Sequence, residues 1–176
     1  VRKAAAKRLG SIGAIAAFEP LRQALKDSQP LVQASAAAAL GSIGHYFGQF
    51  FGFVTWFGED EFRRTLILEV RREVLANMRC IGDELGQAAL QDSISWNAQV
   101  TAVKALGSIG RKLMKALNDE RWTETRPDAA SVSSSSYVDP LNKALKFKHP
   151  SVRESAATAL CSIVYDLSQV LTGKHK

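Results

Sequence analysis

Apolar and polar residues alternate along this chain with a helical period, and the pattern returns on a longer scale. In Val1-Arg2-Lys3-Ala4-Ala5-Ala6-Lys7-Arg8-Leu9-Gly10-Ser11-Ile12-Gly13 the first, fifth, ninth and twelfth positions are apolar, the spacing of one helix face. The segment recurs 31 residues later as Val32-Gln33-Ala34-Ser35-Ala36-Ala37-Ala38-Ala39-Leu40-Gly41-Ser42-Ile43-Gly44. Further copies occupy 70–82 (apolar at Val70, Val74, Met78 and Ile81), 98–110 and 152–164. The fourth to sixth positions are mostly small, as in Ala4 to Ala6, Ser35 to Ala37 and Ser155 to Ala157, so a neighbouring helix can approach closely there. The Gly-Ser-Ile-Gly endings at Gly10, Gly41 and Gly107 are expected to stop each helix, because glycine enters positive φ without penalty.

Three copies are preceded by a shorter apolar-periodic segment: Leu21 to Lys26, Leu85 to Gln91 and Leu141 to Lys146. Each reads as the first helix of a hairpin, with Lys26-Asp27-Ser28-Gln29-Pro30 and Lys148-His149-Pro150-Ser151 as tight links that place proline at a helix start. A lone hairpin cannot bury its apolar stripe, so such units stack side by side. The expectation is an all-α fold, a single domain over 1–176. It is an α-solenoid, or superhelix, with five inner helices at 1–13, 32–44, 70–82, 98–110 and 152–164.

Successive copies start 31, 38, 28 and 54 residues apart, so two intervals hold insertions. The first, 45–58, is rich in aromatics, and Tyr46, Phe50, Phe53 and Trp56 form a candidate interaction patch, with core packing as the other reading. No glycine or proline interrupts Glu59 to Ile81, which predicts one long helix, with the aromatic segment standing in for the outer helix of the third repeat. In the second interval Arg111 to Arg121 reads as helix, and 122–138, with Pro127 and the serine-rich run Ser131 to Ser136, reads as a flexible surface loop.

The core Val-Arg-x-x-Ala-Ala-x-x-Leu-Gly-x-Ile-Gly, preceded by Leu-x-x-Ala-Leu-x-Asp and a short proline-containing loop, resembles the HEAT repeat, in particular the short subtype first described in phycobilisome bilin lyases. The resemblance covers most of the chain and implies stacked HEAT-like helical hairpins. It says little of function, since such scaffolds serve many roles. It also implies a ladder in which an Arg at the second inner-helix position pairs with an Asp of the loop. Arg2, Arg71 and Arg153 match, Gln33 and Gln99 depart, and Asp27 and Asp92 stand where the Asp is expected.

Composition adds bounds. With 46% apolar and 23% charged residues, wholesale disorder is excluded. The most apolar stretch, Tyr46 to Phe57, is too short to span a bilayer as a helix. The chain opens on Val1 without a leader pattern, so it reads as mature, trimmed or cut from a longer protein. Cys80 and Cys161 are expected to be reduced, packed thiols, which points to a cytoplasmic setting. His45, His149 and His175 are scattered, no zinc-like ligand spacing exists, and no nucleophile, base and orienting group can be assembled. No catalytic residue, metal or cofactor is therefore assigned, and the chain is read as not an enzyme.

The third and seventh inner-helix positions point away from the core and are expected to line a concave surface that binds a protein or peptide partner. These are Lys3, Lys7, Arg72, Lys104 and Glu154, with Val100, Thr158, Ala34 and Ala38 between them. One alternative, drawn from the family resemblance, is a bilin-lyase-like subunit handling a tetrapyrrole and its acceptor protein. A second is nucleic-acid binding, suggested by the net charge of +6 but opposed by gaps in the basic stripe at the second and fifth copies. Val1 opens directly on an inner helix, whose uncovered flank suggests a homodimer or a lost N-terminal segment.

Overall fold

The computed structural model describes residues 1–53, 61–117 and 133–171. Seven α-helices lie among them: α1 Arg2–Ile12, α2 Phe18–Ala24, α3 Pro30–Phe53, α4 Glu61–Leu90, α5 Trp96–Leu117, α6 Asp139–Ala144 and α7 Pro150–Leu171. No strand occurs among the described residues. Pro30 and Pro150 open α3 and α7, where the missing N–H is no loss. The turn before α3 is fixed by Asp27, whose Oδ1 accepts the Gln29 N–H at 2.9 Å. The architecture is the expected α-solenoid. Helices α1, α3, α5 and α7 stack in that order as the inner row, and α2, α4 and α6 lie behind them.

The third copy is not in the inner row. Helix α3 packs directly on α5, and 70–82 lies within α4, behind both. No turn precedes Val70, so nothing reverses the chain there. The helix runs unbroken into its C-terminal part, which bonds across the outer layer to α2 through Arg22 and Glu84 at 3.6 Å. Val74, Met78, Ile81 and Leu85 are all buried, so the apolar pattern marked a covered face correctly but not its layer. The aromatic stretch likewise does not replace an outer helix, because α3 continues through it to Phe53.

Glycine works differently from the expectation as well. Among the described residues only Gly13 ends a helix in the left-handed region, at φ 68°. Gly41 and Gly107 lie inside α3 and α5, and their role is spacing. A methyl group on Gly10, Gly41 or Gly107 would stand 2.6, 2.7 or 2.5 Å from the Cβ of Ala39, Ala105 or Ala159 on the next inner helix. The tenth position of each inner helix thus lies against the eighth of its successor, which permits close stacking because the residues at a contact set helix separation. The register changes at both ends. Arg8 occupies the alanine position on α1, Cys161 and Val164 occupy the glycine positions on α7, and all three are exposed. Cys80 is exposed too, so neither thiol is a packed core residue. On the flank of α1 expected to be apolar, Arg8 accompanies the exposed Val1 and Ile12.

A polar ladder ties the turns together, and glutamine carries part of it. Arg2 Nε lies 3.3 Å from Asp27 Oδ2. Gln33 Nε2 donates to the Asp27 carbonyl at 2.8 Å, while Gln33 Oε1 accepts the Ser95 N–H at 2.9 Å, reaching the turn before α5. Gln99 donates to the Gln91 carbonyl at 2.9 Å, and Arg153 to the carbonyls of Phe147 and Lys148 at 3.0 and 2.8 Å. Gln33 and Gln99 are buried whereas Arg2 and Arg153 are exposed. A neutral amide is cheaper to bury than a guanidinium, which suits glutamine to these two buried sites, although Arg71, the corresponding residue within α4, is buried as an arginine.

The serine-rich segment is in part structural. Ser133–Val138 forms a π-helical turn in which Ser136 and Tyr137 are buried, so the expectation of a flexible surface loop fails there; 118–132 lies outside the described residues. Tyr137 Oη donates to the Met78 carbonyl at 2.6 Å, and burial, followed by the nearby Asp83 and Cys80, pushes its phenol pKa far up. Gly82 leaves room for this turn, since a methyl group there would meet Ser136 Cβ at 2.8 Å.

The stacking contact is directly testable. Gly41→Ala gains up to about 1 kcal/mol of helix propensity but overpacks a seam where such insertions cost about 1–3 kcal/mol. We expect a net loss of about 1–2 kcal/mol in urea unfolding, and recovery of most of it when Ala105→Gly is added. A stabilised Gly41→Ala protein would contradict the close approach.

Candidate functional site

Among the described residues, cavities open between neighbouring inner helices. One, of about 630 Å³, lies between α5 and α7 and is lined by Trp96, Val100, Lys104, Arg111, Glu154 and Thr158 among others. A second, of about 550 Å³, lies between α3 and α5, with Ala38, Ser42, His45, Tyr46, Lys104 and Ser108 in its lining. Their linings include Gly41, Ala105, Gly107 and Ala159, so the seams that stack the helices also shape the grooves. Lys104 is exposed and lines both, as a ridge between them.

The α5/α7 groove is bounded by two fixed pairs. Trp96 and His149 stack with centroids 4.6 Å apart and ring planes within 4° of parallel, which joins the start of α5 to the turn before α7. His149 Nδ1 accepts the Ser151 N–H at 3.3 Å, which orients the imidazole. Further along, Arg111 Nε lies 3.4 Å from Asp166 Oδ2. Between these ends, Thr158 and Ser162 donate to the carbonyls of Glu154 and Thr158, each at 2.9 Å. In the α3/α5 groove, Thr101 and Ser42 donate in the same manner to Asn97 and Ala38. These hydroxyls are committed to their own helices, a common arrangement for Ser and Thr in helix interiors.

Of the residues expected on the concave face, the structure brings Lys104 and Glu154 together on the α5/α7 groove. Lys3 and Lys7 are exposed on α1, at the N-terminal end of the inner row, and line neither groove. Arg72 is not on the concave face. It lies on α4 in the outer layer, 3.4 Å from Glu69, because the third copy is an outer helix. Tyr46 is half exposed, lines the α3/α5 groove and packs over Gly13, which leaves room for its ring. The expectations for the side chains of Phe50 and Phe53, and for Trp56, lie outside the described residues.

Sequence reasoning missed the Trp96 and His149 stack, for which no local signal exists, since it joins two turns 53 residues apart. It also missed the contact between His45 and Lys112, where Lys112 Nζ donates to the imidazole Nε2 at 3.0 Å. Burial, then the Lys112 charge, lowers the His45 pKa below its ordinary value of 6.5. The folded state thus favours neutral imidazole while the unfolded chain takes up a proton near 6.5. Stability contributed by this group is present at higher pH and is lost as pH falls through 6.5 toward the lower folded value. Unfolding midpoints measured at about pH 7.5 and about pH 5.5 should therefore fall further for the wild type than for His45→Gln. Equal falls would show that the contact does not discriminate between the protonation states.

No helix among the described residues is long and apolar enough to cross a membrane. No curated protein matches the chain. A family model described as HEAT repeats matches residues 1–46, which take in α1, α2 and the first part of α3, the segment where the first Gly-to-Ala seam forms. The chain is an all-α solenoid whose inner helices repeat one stacking contact, and its first 46 residues match HEAT repeats.

Proposed function

We propose that the chain is a non-catalytic scaffold that holds a protein or peptide along the concave face of its inner helices. The observation that carries this reading is the state of the charged groups. Arg2, Arg22, Arg72 and Arg111 are each held in an ion pair, whereas Lys104 and Glu154, which face each other's groove, have no ion-pair partner among the described residues. Charges left unpaired beside an elongated groove with an aromatic shelf suit recognition of another chain, with side-chain pockets and a polar rim.

Chemistry is disfavoured by the same inventory. Ser42, Thr101, Thr158 and Ser162 donate to their own helices, and His45 is engaged by Lys112. These hydroxyls and this imidazole are already engaged, which leaves no base positioned beside a nucleophile among the groups named. Exposed free thiols at Cys80 and Cys161 fit a reducing compartment such as the cytoplasm.

The test is copurification from source lysate with three proteins of matched helicity: wild type, Lys104→Glu with Glu154→Lys, and the outer-layer control Arg72→Glu. A partner retained by wild type and control but reduced at least about tenfold by the concave double variant supports the reading. A partner that survives the concave reversal and is lost with Arg72→Glu would move the site to the outer layer.

A further inference from the structure

We infer that the concave face recognises an acidic peptide segment, with a peptide carboxylate on Lys104 and an apolar side chain on the Trp96 shelf. This rests on the scaffold reading above and names the chemistry of the partner. The inference comes from which charges remain available. Along the inner row, α1 presents Lys3 and Lys7, α3 presents Ala34 and Ala38 at the matching positions, and α5 presents Lys104. Among the described residues, the α3/α5 groove is lined by Lys104 and His45 and by no aspartate or glutamate. In the α5/α7 groove Arg111 is engaged by Asp166, which leaves Lys104 and Glu154 as its unpaired charges. From α1 to α5 the face is therefore positive, and its unpaired carboxylate stands on α7.

Lys104 borders both grooves and is exposed, so an arriving carboxylate can pair with it without forcing a deep desolvation. Beside it, half-buried Val100 and the 47% exposed Trp96 give an apolar surface, with Trp96 held in place by His149. Asn97 lines the same groove, and its carboxamide can donate to and accept from an extended backbone. Acidic and apolar side chains alternating along one strand match this surface. A nucleic-acid backbone does not. It presents a phosphate at every nucleotide, whereas α3 offers no cation at these positions and Glu154 lines the α5/α7 groove, where the peptide would place its apolar side chain while its carboxylate meets Lys104 from the α3/α5 side.

The test is fluorescence anisotropy on the full chain with short labelled peptides that alternate glutamate with leucine or phenylalanine. The comparators are the same peptides with glutamine for glutamate, the same with lysine, and a single-stranded oligothymidylate. The glutamate peptides should bind about tenfold tighter than the glutamine ones. That advantage should disappear in Lys104→Gln, persist in Arg72→Gln, and shrink with added salt. Equal binding of glutamate and glutamine peptides would overturn the charge inference while leaving concave docking intact. Tightest binding by the oligothymidylate, lost in Lys104→Gln, would replace the acidic peptide with nucleic acid. No binding by any glutamate peptide would also overturn the inference, while the scaffold reading is decided separately by copurification.

Discussion

The contact between a glycine on one inner helix and an alanine on the next is the constraint from which the rest of the structure follows. It occurs three times, at Gly10 with Ala39, Gly41 with Ala105 and Gly107 with Ala159, always between the tenth and eighth positions of the repeat. With no side chain between the helices, backbones approach closely and the register of each pair is fixed. That register decides which residues turn inward to Leu40, Ile43, Leu106 and Ile109 and which remain on the open side. The open face of the inner row is a by-product of the packing. Once the seam is set, the third, seventh and eleventh positions have nowhere to go but outward, and their identity is free to serve recognition.

The polar groups obey the same economy of position. Around the turns, buried Gln33 and Gln99 and exposed Arg2 and Arg153 each hold a loop carbonyl or a loop carboxylate, while Arg71, at the matching position inside α4, is a buried arginine. Gln33 links two successive turns, so the loops are coupled as well as the helices. On the concave side the hydroxyls bond to their own helices and Arg111 is held by Asp166. Lys104 and Glu154 line the α5/α7 groove without an ion-pair partner among the described residues, beside the Trp96 ring that stacks on His149.

The fold was legible in the sequence because the apolar positions at one, five, nine and twelve mark a mostly buried face in every copy but the first, where Val1, Ala5 and Ile12 are exposed. They could not report layer. The 70–82 segment buries the same stripe from the outer side, and Arg72 was misplaced with it. A signal was nonetheless present. That copy has Asn77 and Arg79 where the stacking seam needs alanine and glycine, and no turn precedes it. Among the described residues a glycine stops a helix at Gly13 only; sequence distinguishes poorly between a glycine that frees φ and one that makes room for a neighbour. Of the site, Lys104 and Glu154 followed from periodicity, whereas the Trp96 and His149 stack and the His45 and Lys112 contact arise only when distant segments meet.

The central claim is that α3 lies directly on α5 through Gly41 and Ala105, with 70–82 behind them. Nuclear Overhauser contacts in isotope-labelled protein measure this without altering the chain. The account predicts a strong cross-peak between the Gly41 α-protons and the Ala105 methyl, matched by one between Gly107 and the Ala159 methyl. Cross-peaks from Gly41 to the 70–82 segment in place of Ala105 would put the third copy between α3 and α5 and contradict it.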